Sequence, residues 1–89
     1  MQEKLTTFIK AISDPTRLKI LECLSDECCV GDVLDKLEIR QNLISHHLKV
    51  LRDAKLVKFK KEGLRVNYCL DKKNLDAGLK LLNKFFNKK

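Results

Sequence analysis

The hydrophobic period of this chain changes once, near Lys55, and that change limits the folds open to it. Before it, apolar residues recur at helical spacing. Leu5, Phe8, Ile9 and Ile12 stand at i, i+3, i+4 and i+7, the pattern of an amphipathic helix. In "SDPTRLKILECL", Asp14 (or Ser13) suits an N-cap, and Pro15 suits the first helical position, where its missing N–H is not needed. Leu18, Leu21 and Leu24 are then expected to face inward. Ser25–Glu27 breaks the pattern. A short third helix is expected over about Val30–Leu37, a turn at "EIR", and a fourth helix over about Gln41–Ala54. Beyond Lys55 the period is two. Val57 and Phe59 alternate with lysines. After "KEG", Leu64, Val66, Tyr68 and Leu70 alternate with Arg65, Asn67 and Cys69. Two such runs around a Gly-containing turn predict a β-hairpin. Leu75, Leu79, Leu82 and Phe86 then restore helical spacing in a final helix, its stripe widened by Gly78, Leu81 and Phe85. The expected fold is mostly α with a small β-hairpin wing: four helices, two strands and a helix, a winged helix-turn-helix. At 89 residues the chain is expected to form one domain, 1–89.

Charge is segregated along this order. Residues 14–39 carry three basic and seven acidic side chains, whereas residues 40–65 carry eight basic and two acidic. Positive charge concentrated in one segment suits a polyanion, most simply nucleic acid. No apolar run approaches a membrane span. The start, "MQEKLTTFIK", lacks the apolar core of a signal peptide, so a cytoplasmic protein is expected. No catalytic cluster or cofactor loop stands out, so an enzyme is not expected and no cofactor is required.

The fourth helix contains "QNLISHHLK". At about 100° per residue, Ile44, Leu48, Leu51 and Lys55 form one seam. Asn42, His46, Lys49 and Asp53 lie opposite, with Ser45 on their edge. His47 falls beside the seam with Leu43 and Val50. Neighbouring helical side chains diverge, so the two histidines do not clamp one ion. His47 is expected to be a packed, hydrogen-bonded boundary histidine. His46, with Asn42, Ser45 and Lys49, is expected to read DNA, because asparagine and serine can bond base edges and lysine can reach phosphate or guanine.

"AISDPTRLKILECL", "CVGDVLDKL", "ISHHLKVLRDAKLV" and "KKEGLRVNYCL" together resemble the ArsR/SmtB family of winged-helix repressors, which sense metals, metalloids and thiol-reactive species. The resemblance covers roughly residues 8–70. It implies a homodimer that represses its own operator, a palindromic double-stranded site. It implies a recognition helix at Gln41–Ala54, a wing at Lys58–Tyr68, and base contacts at Gln41, Asn42, Ser45 and His46. Lys49, Lys58, Lys60, Lys61 and Arg65 would neutralise phosphates. Joining through the first and last helices would place Leu5, Phe8, Ile12, Leu75, Leu79, Leu82 and Phe86 at the dimer interface. Leu43 departs from the family, where a small residue is more usual.

The sensing sites of the family depart further. Where one site has Cys–Val–Cys, this chain has Cys29–Val30–Gly31. Where another uses aspartate and histidine on the last helix, residues 71–89 hold only Asp71 and Asp76. The adjacent pair Cys28–Cys29 remains, with Cys23 upstream as a third thiol. Such a set suits As(III) or a soft divalent metal as effector. Cys69 falls on the outward hairpin face, where little role is expected. Three alternatives stay open: the thiols act as a redox or sulfur-species switch, they only pack, or the winged helix serves protein–protein contact. In a reducing compartment all four cysteines are expected to be thiols.

Overall fold

The computed structural model describes residues 2–24, 29–30 and 37–87. In chain order it contains α1 (Gln2–Ile12), α2 (Pro15–Leu24), β1 (Cys29–Val30), α3 (Gln41–Asp53), β2 (Val57–Glu62), β3 (Arg65–Leu70) and α4 (Lys72–Phe86). The expected mostly helical winged fold is present. Among the described residues no helix is long and apolar enough to cross a membrane.

Local chemistry starts and stops these helices. Asp14 caps α2: its Oδ2 accepts from the backbone N–H groups of Thr16 (2.8 Å) and Arg17 (3.0 Å). These are N–H groups that no helical carbonyl can reach. Asp71 caps α4 in the same way, accepting from the Asn74 N–H at 3.1 Å. The end of α3 is a Schellman motif. Lys55 takes the left-handed φ of 64°. Leu56 N–H donates to Leu51 O and Lys55 N–H to Arg52 O, each at 2.9 Å, the two bonds that define the motif. Leu56 thereby turns back onto Leu51, and both are fully buried. Lys55 was expected on the buried seam; it is exposed, because the seam ends where the helix does.

The core joins Phe8 and Ala11 of α1, Ile20, Leu21 and Leu24 of α2, Ile44, Leu48 and Leu51 of α3, and Leu56 and Val57 at the root of the hairpin. Ile20, Leu24, Leu51 and Leu56 are the largest fully buried side chains, each worth about 1.5–3 kcal/mol of transfer free energy. Leu18 was expected inward but is 51% exposed. The buried face of α2 is formed by Ile20, Leu21 and Leu24, and Leu18 lies about 110° from its centre at about 100° per residue.

The sheet has three strands, one more than expected, in the order β1-β3-β2. Val30, expected to open a helix, lies in β1 opposite Asn67, because β3 still had a free edge to pair. The other residues of that expected helix, 31–36, lie outside the described residues. β2 and β3 pair from Val57↔Leu70 to Glu62↔Arg65, leaving Gly63 and Leu64 as a two-residue loop. Gly63 supplies the positive φ, 64°, that such tight hairpin loops demand. Leu64 was read as the first apolar residue of a strand. It is instead the tip of the wing and fully exposed.

α1 packs along α4. Gly78 makes this close: a Cβ there would overlap the Phe8 ring. Leu5 and Phe8, expected at a dimer interface, are therefore buried within their own chain. Ile12 and Leu75 are half-buried against the core. Leu82 is half-buried as well. Leu79, Phe86, and also Ile9 and Phe85, stay exposed. The radius of gyration is 13.7 Å and the extents are 49 × 23 × 20 Å, more elongated than the about 12 Å radius of a compact domain this size.

Candidate nucleic-acid interface

α3 presents two chemically distinct faces. Ile44, Leu48 and Leu51 anchor one in the core, at 5%, 6% and 0% exposure. Asn42, Ser45, His46 and Lys49 are all exposed. The wheel placed both sets as the structure does. Leu43 is exposed too, so it stands beside the polar face rather than packing. Arg40 holds the N-cap position with φ −57° and ψ 136°, and its side chain caps nothing. Gln41 opens the helix; its side chain lies outside the described residues.

His47 is fixed rather than free to bind an ion. Arg17 Nη1 stands 3.2 Å from His47 Nδ1, and Asp14 Oδ2 stands 4.0 Å from His47 Nε2. The same Arg17 donates through Nε to Ala11 O (2.7 Å) and through Nη2 to Lys10 O (3.1 Å). One guanidinium thus ties the end of α1 to α3, while the Asp14 carboxylate caps α2 beside it. The Arg17 N–H bond, foremost, holds the Asp14 carboxyl below its ordinary value, with further help from the Thr16 N–H, His47 and Arg17's charge; partial desolvation opposes them. Side-chain periodicity gave no hint of Arg17. Its place three residues after a capping aspartate was the available signal. The His46 and His47 rings lie 5.4 Å apart, tilted by 58°, but both nitrogens of His47 already face partners.

The wing continues from α3 through Ala54–Leu56. Lys58, Lys60 and Lys61 are exposed on β2. Arg65 starts β3 opposite Glu62; its side chain lies outside the described residues. The Arg52 guanidinium sits 5.0 Å from the centroid of the Phe59 ring, a cation–π contact between helix and wing. Phe59 in turn faces Tyr68 across the strands at 6.4 Å. Charge counting included Arg52 but could not show that it braces the wing.

The cysteines divide differently from expectation. Cys23 keeps its thiol and packs against the core. Cys69 is disulfide-bonded and half-buried, not the thiol expected of a reducing compartment. Cys28 and the side chain of Cys29 lie outside the described residues. Among the described residues, no three histidine, cysteine or acidic side chains gather as a metal set.

Comparison with known proteins agrees with this geometry. Residues 14–58 match the family model described as bacterial regulatory protein, arsR family. The chain is 41% identical over 75 residues to an arsenical resistance operon repressor of Staphylococcus xylosus, covering 83% of this chain and 72% of that protein. An ArsR-like transcriptional regulator from Rhodococcus sp. RHA1 superposes with a TM-score of 0.85 at 26% identity, covering 94% of this chain and 80% of that one. HlyU from Vibrio cholerae superposes with a TM-score of 0.77 at 32% identity, covering 96% and 94%. With a core-anchored helix that turns a polar face to solvent, a basic wing and these relatives, the chain belongs to the arsR family of bacterial transcriptional regulators.

Proposed function

We propose that this protein is a dimeric, sequence-specific repressor that is cytoplasmic and leaves its operator when a thiophilic metalloid or metal occupies its cysteines. The observation that carries the DNA reading is the face of α3: Asn42, Ser45, His46 and Lys49 are exposed while the opposite seam is locked in the core. Gln41, Asn42, Ser45 and His46 contact base edges in the major groove. Lys49 and the wing residues Lys58, Lys60, Lys61 and Arg65 neutralise phosphates. The exposed apolar residues of α4, Leu79 and Phe86, with Leu75, Leu82 and Ile12 beside them, meet their copies across a two-fold axis. The recognition helices then lie about 34 Å apart and meet a palindrome.

For the effector, the arsenical repressor from Staphylococcus xylosus supports As(III), and a cadmium resistance regulator homologue from Staphylococcus aureus, 45% identical over 64 residues, supports a soft divalent ion. Cys28 and Cys29 supply two thiolates and Cys23 a third. Each must lose a proton to bind, so affinity rises with pH. One observation favours a second reading, a redox or sulfur-species switch: Cys69 is already disulfide-bonded.

The test is operator binding by the purified, reduced protein under anaerobic conditions, with and without arsenite or Cd(II). Arsenite should release the operator, and Ser45→Ala and His46→Ala should each cost about 1–3 kcal/mol of discrimination between operator and random duplex. Equal binding of both duplexes at every salt concentration would overturn the repressor reading and leave a winged helix used for protein contact. Release by peroxide or polysulfide but not by arsenite would replace the metalloid with the redox reading.

A further inference from the structure

Leu43 is an apolar side chain on the solvent side of α3, 46% exposed. It belongs to the first turn of the helix, which starts at Gln41, and its N–H donates to Arg40 O at 2.9 Å. Val50 lies on the same flank two turns later and is half-buried against the core. The flank is thus covered by the protein toward the end of the helix and open at its start. His46 and His47 follow at i+3 and i+4, the positions that neighbour Leu43 on a helix surface. His47 is held by Arg17, whereas His46 is exposed, as are Asn42 and Arg40. The first turn of α3 holds no acidic side chain, so it carries no negative charge that would repel a phosphate backbone.

We propose that Leu43 packs on the C5-methyl group of a thymine in each half of the operator, which makes it a specificity-determining residue of the DNA interface. The proposal rests on the reading of α3 as the helix that enters the major groove. In that geometry the first residues of the helix contact the base edges. Thymine alone presents a methyl group there; guanine, adenine and cytosine present donors and acceptors.

The leucine side chain has neither a donor nor an acceptor. Against a thymine methyl it removes apolar surface from water on both sides of the contact. Against an amino group or a ring nitrogen it would strip water from a polar atom and offer no bond in return. Attraction and penalty therefore select the same base. Asn42 and His46, exposed beside it, can bond neighbouring base edges, so the preference adds to theirs.

The test uses the full chain, reduced, and a duplex selected from a randomised pool by its binding to that protein. Each thymine of the selected duplex is replaced in turn by deoxyuridine, which keeps every hydrogen-bonding group and lacks only the methyl. Dissociation constants are measured for the wild type, Leu43→Ser and Leu43→Met. In each half-site one thymine should be methyl-sensitive: the wild type should bind about fourfold more weakly when it becomes deoxyuridine, the worth of one buried methyl group. At that position Leu43→Ser should bind the two duplexes equally, and Leu43→Met, which keeps a long apolar chain, should retain most of the wild-type ratio. Each comparison is a ratio within one protein, so a variant that folds less well weakens both duplexes and leaves the ratio as it was. A selected duplex with no methyl-sensitive thymine overturns the assignment of Leu43, as does a sensitivity that survives Leu43→Ser unchanged; both leave α3 as the reading helix. A pool that yields no preferred sequence overturns that reading itself, and the assignment with it.

Discussion

Gly78 offers a sharp test of how the first and last helices meet. A glycine inside a fifteen-residue helix is costly, and replacing it with alanine at an open position should stabilise the helix by about 1 kcal/mol. Here the position is closed. The added Cβ would fall inside contact distance of three atoms of the Phe8 ring. Phe8 is 5% exposed and belongs to the central cluster, so its ring has no open space to enter. Overpacking of this kind costs about 1–3 kcal/mol, and three close atoms put the cost at the upper end. Subtracting the helical gain leaves a net loss of about 1–2 kcal/mol. For a domain of this size that lowers Tm by roughly 4–16 °C. The assay is thermal and urea unfolding of Gly78→Ala at fixed protein concentration, since association would otherwise shift the midpoint. The cause is isolated by a double-mutant cycle with Phe8→Leu, which removes the ring: Gly78→Ala should cost less in that background than in the wild type. If Gly78→Ala raises stability by the full helical gain, or if the two changes are additive, α1 and α4 do not meet through this pair.

Three further outcomes follow from the geometry. Lys60→Ala and Lys61→Ala should each weaken binding to all duplexes alike and reduce the slope of log K against log salt by about 1, read from titrations at several salt concentrations. Phe86→Asp should turn the dimer into a monomer in sedimentation without altering the far-UV spectrum, because Phe86 is 76% exposed and touches little of its own core; a persisting dimer would place the interface elsewhere. Asp14→Asn keeps a capping oxygen but loses the charge beside Arg17 and His47. The Asp14 carboxyl is held below its ordinary 3.8, so its contribution is present above pH 3.8 and lost as pH falls through the lowered folded value. The stability gap between wild type and Asp14→Asn should therefore be constant at neutral pH and close in strong acid, as measured by urea unfolding across pH; a gap that widens on acidification would refute the sign.

What the sequence revealed and what it hid divide along the range of the physics involved. A helix is local: each residue's bearing follows from its neighbours at about 100° per step. The buried seam Ile44, Leu48, Leu51 and the exposed face Asn42, Ser45, His46, Lys49 were legible for that reason, as was the half-buried place of His47. Caps are equally local, and Asp14 does what its position announced. Even here, small helices leave room for error. α2 buries Ile20 rather than Leu18 because its stripe is set by which partner helices surround it, and those are distant in sequence.

Sheet partnership is not local, and that is where expectation failed. Nothing in residues 29–30 signals that they pair with a strand almost forty positions later. Two residues are too few to show a period of two. The alternation of β3 placed Cys69 on a face correctly, opposite Lys58 on one side. It could not say that a third strand would pair with the other edge. The apolar stripe of the first and last helices has a related ambiguity: its breadth tells how much surface must be covered, not by what. Phe8 is covered from within because Gly78 lets its ring approach the α4 backbone, whereas Phe86, on the same stripe one helical end away, finds no such neighbour and stays in solvent. The same hydrophobic signal therefore serves the core at one end of α4 and remains exposed at the other, and only the distance between helices separates the two.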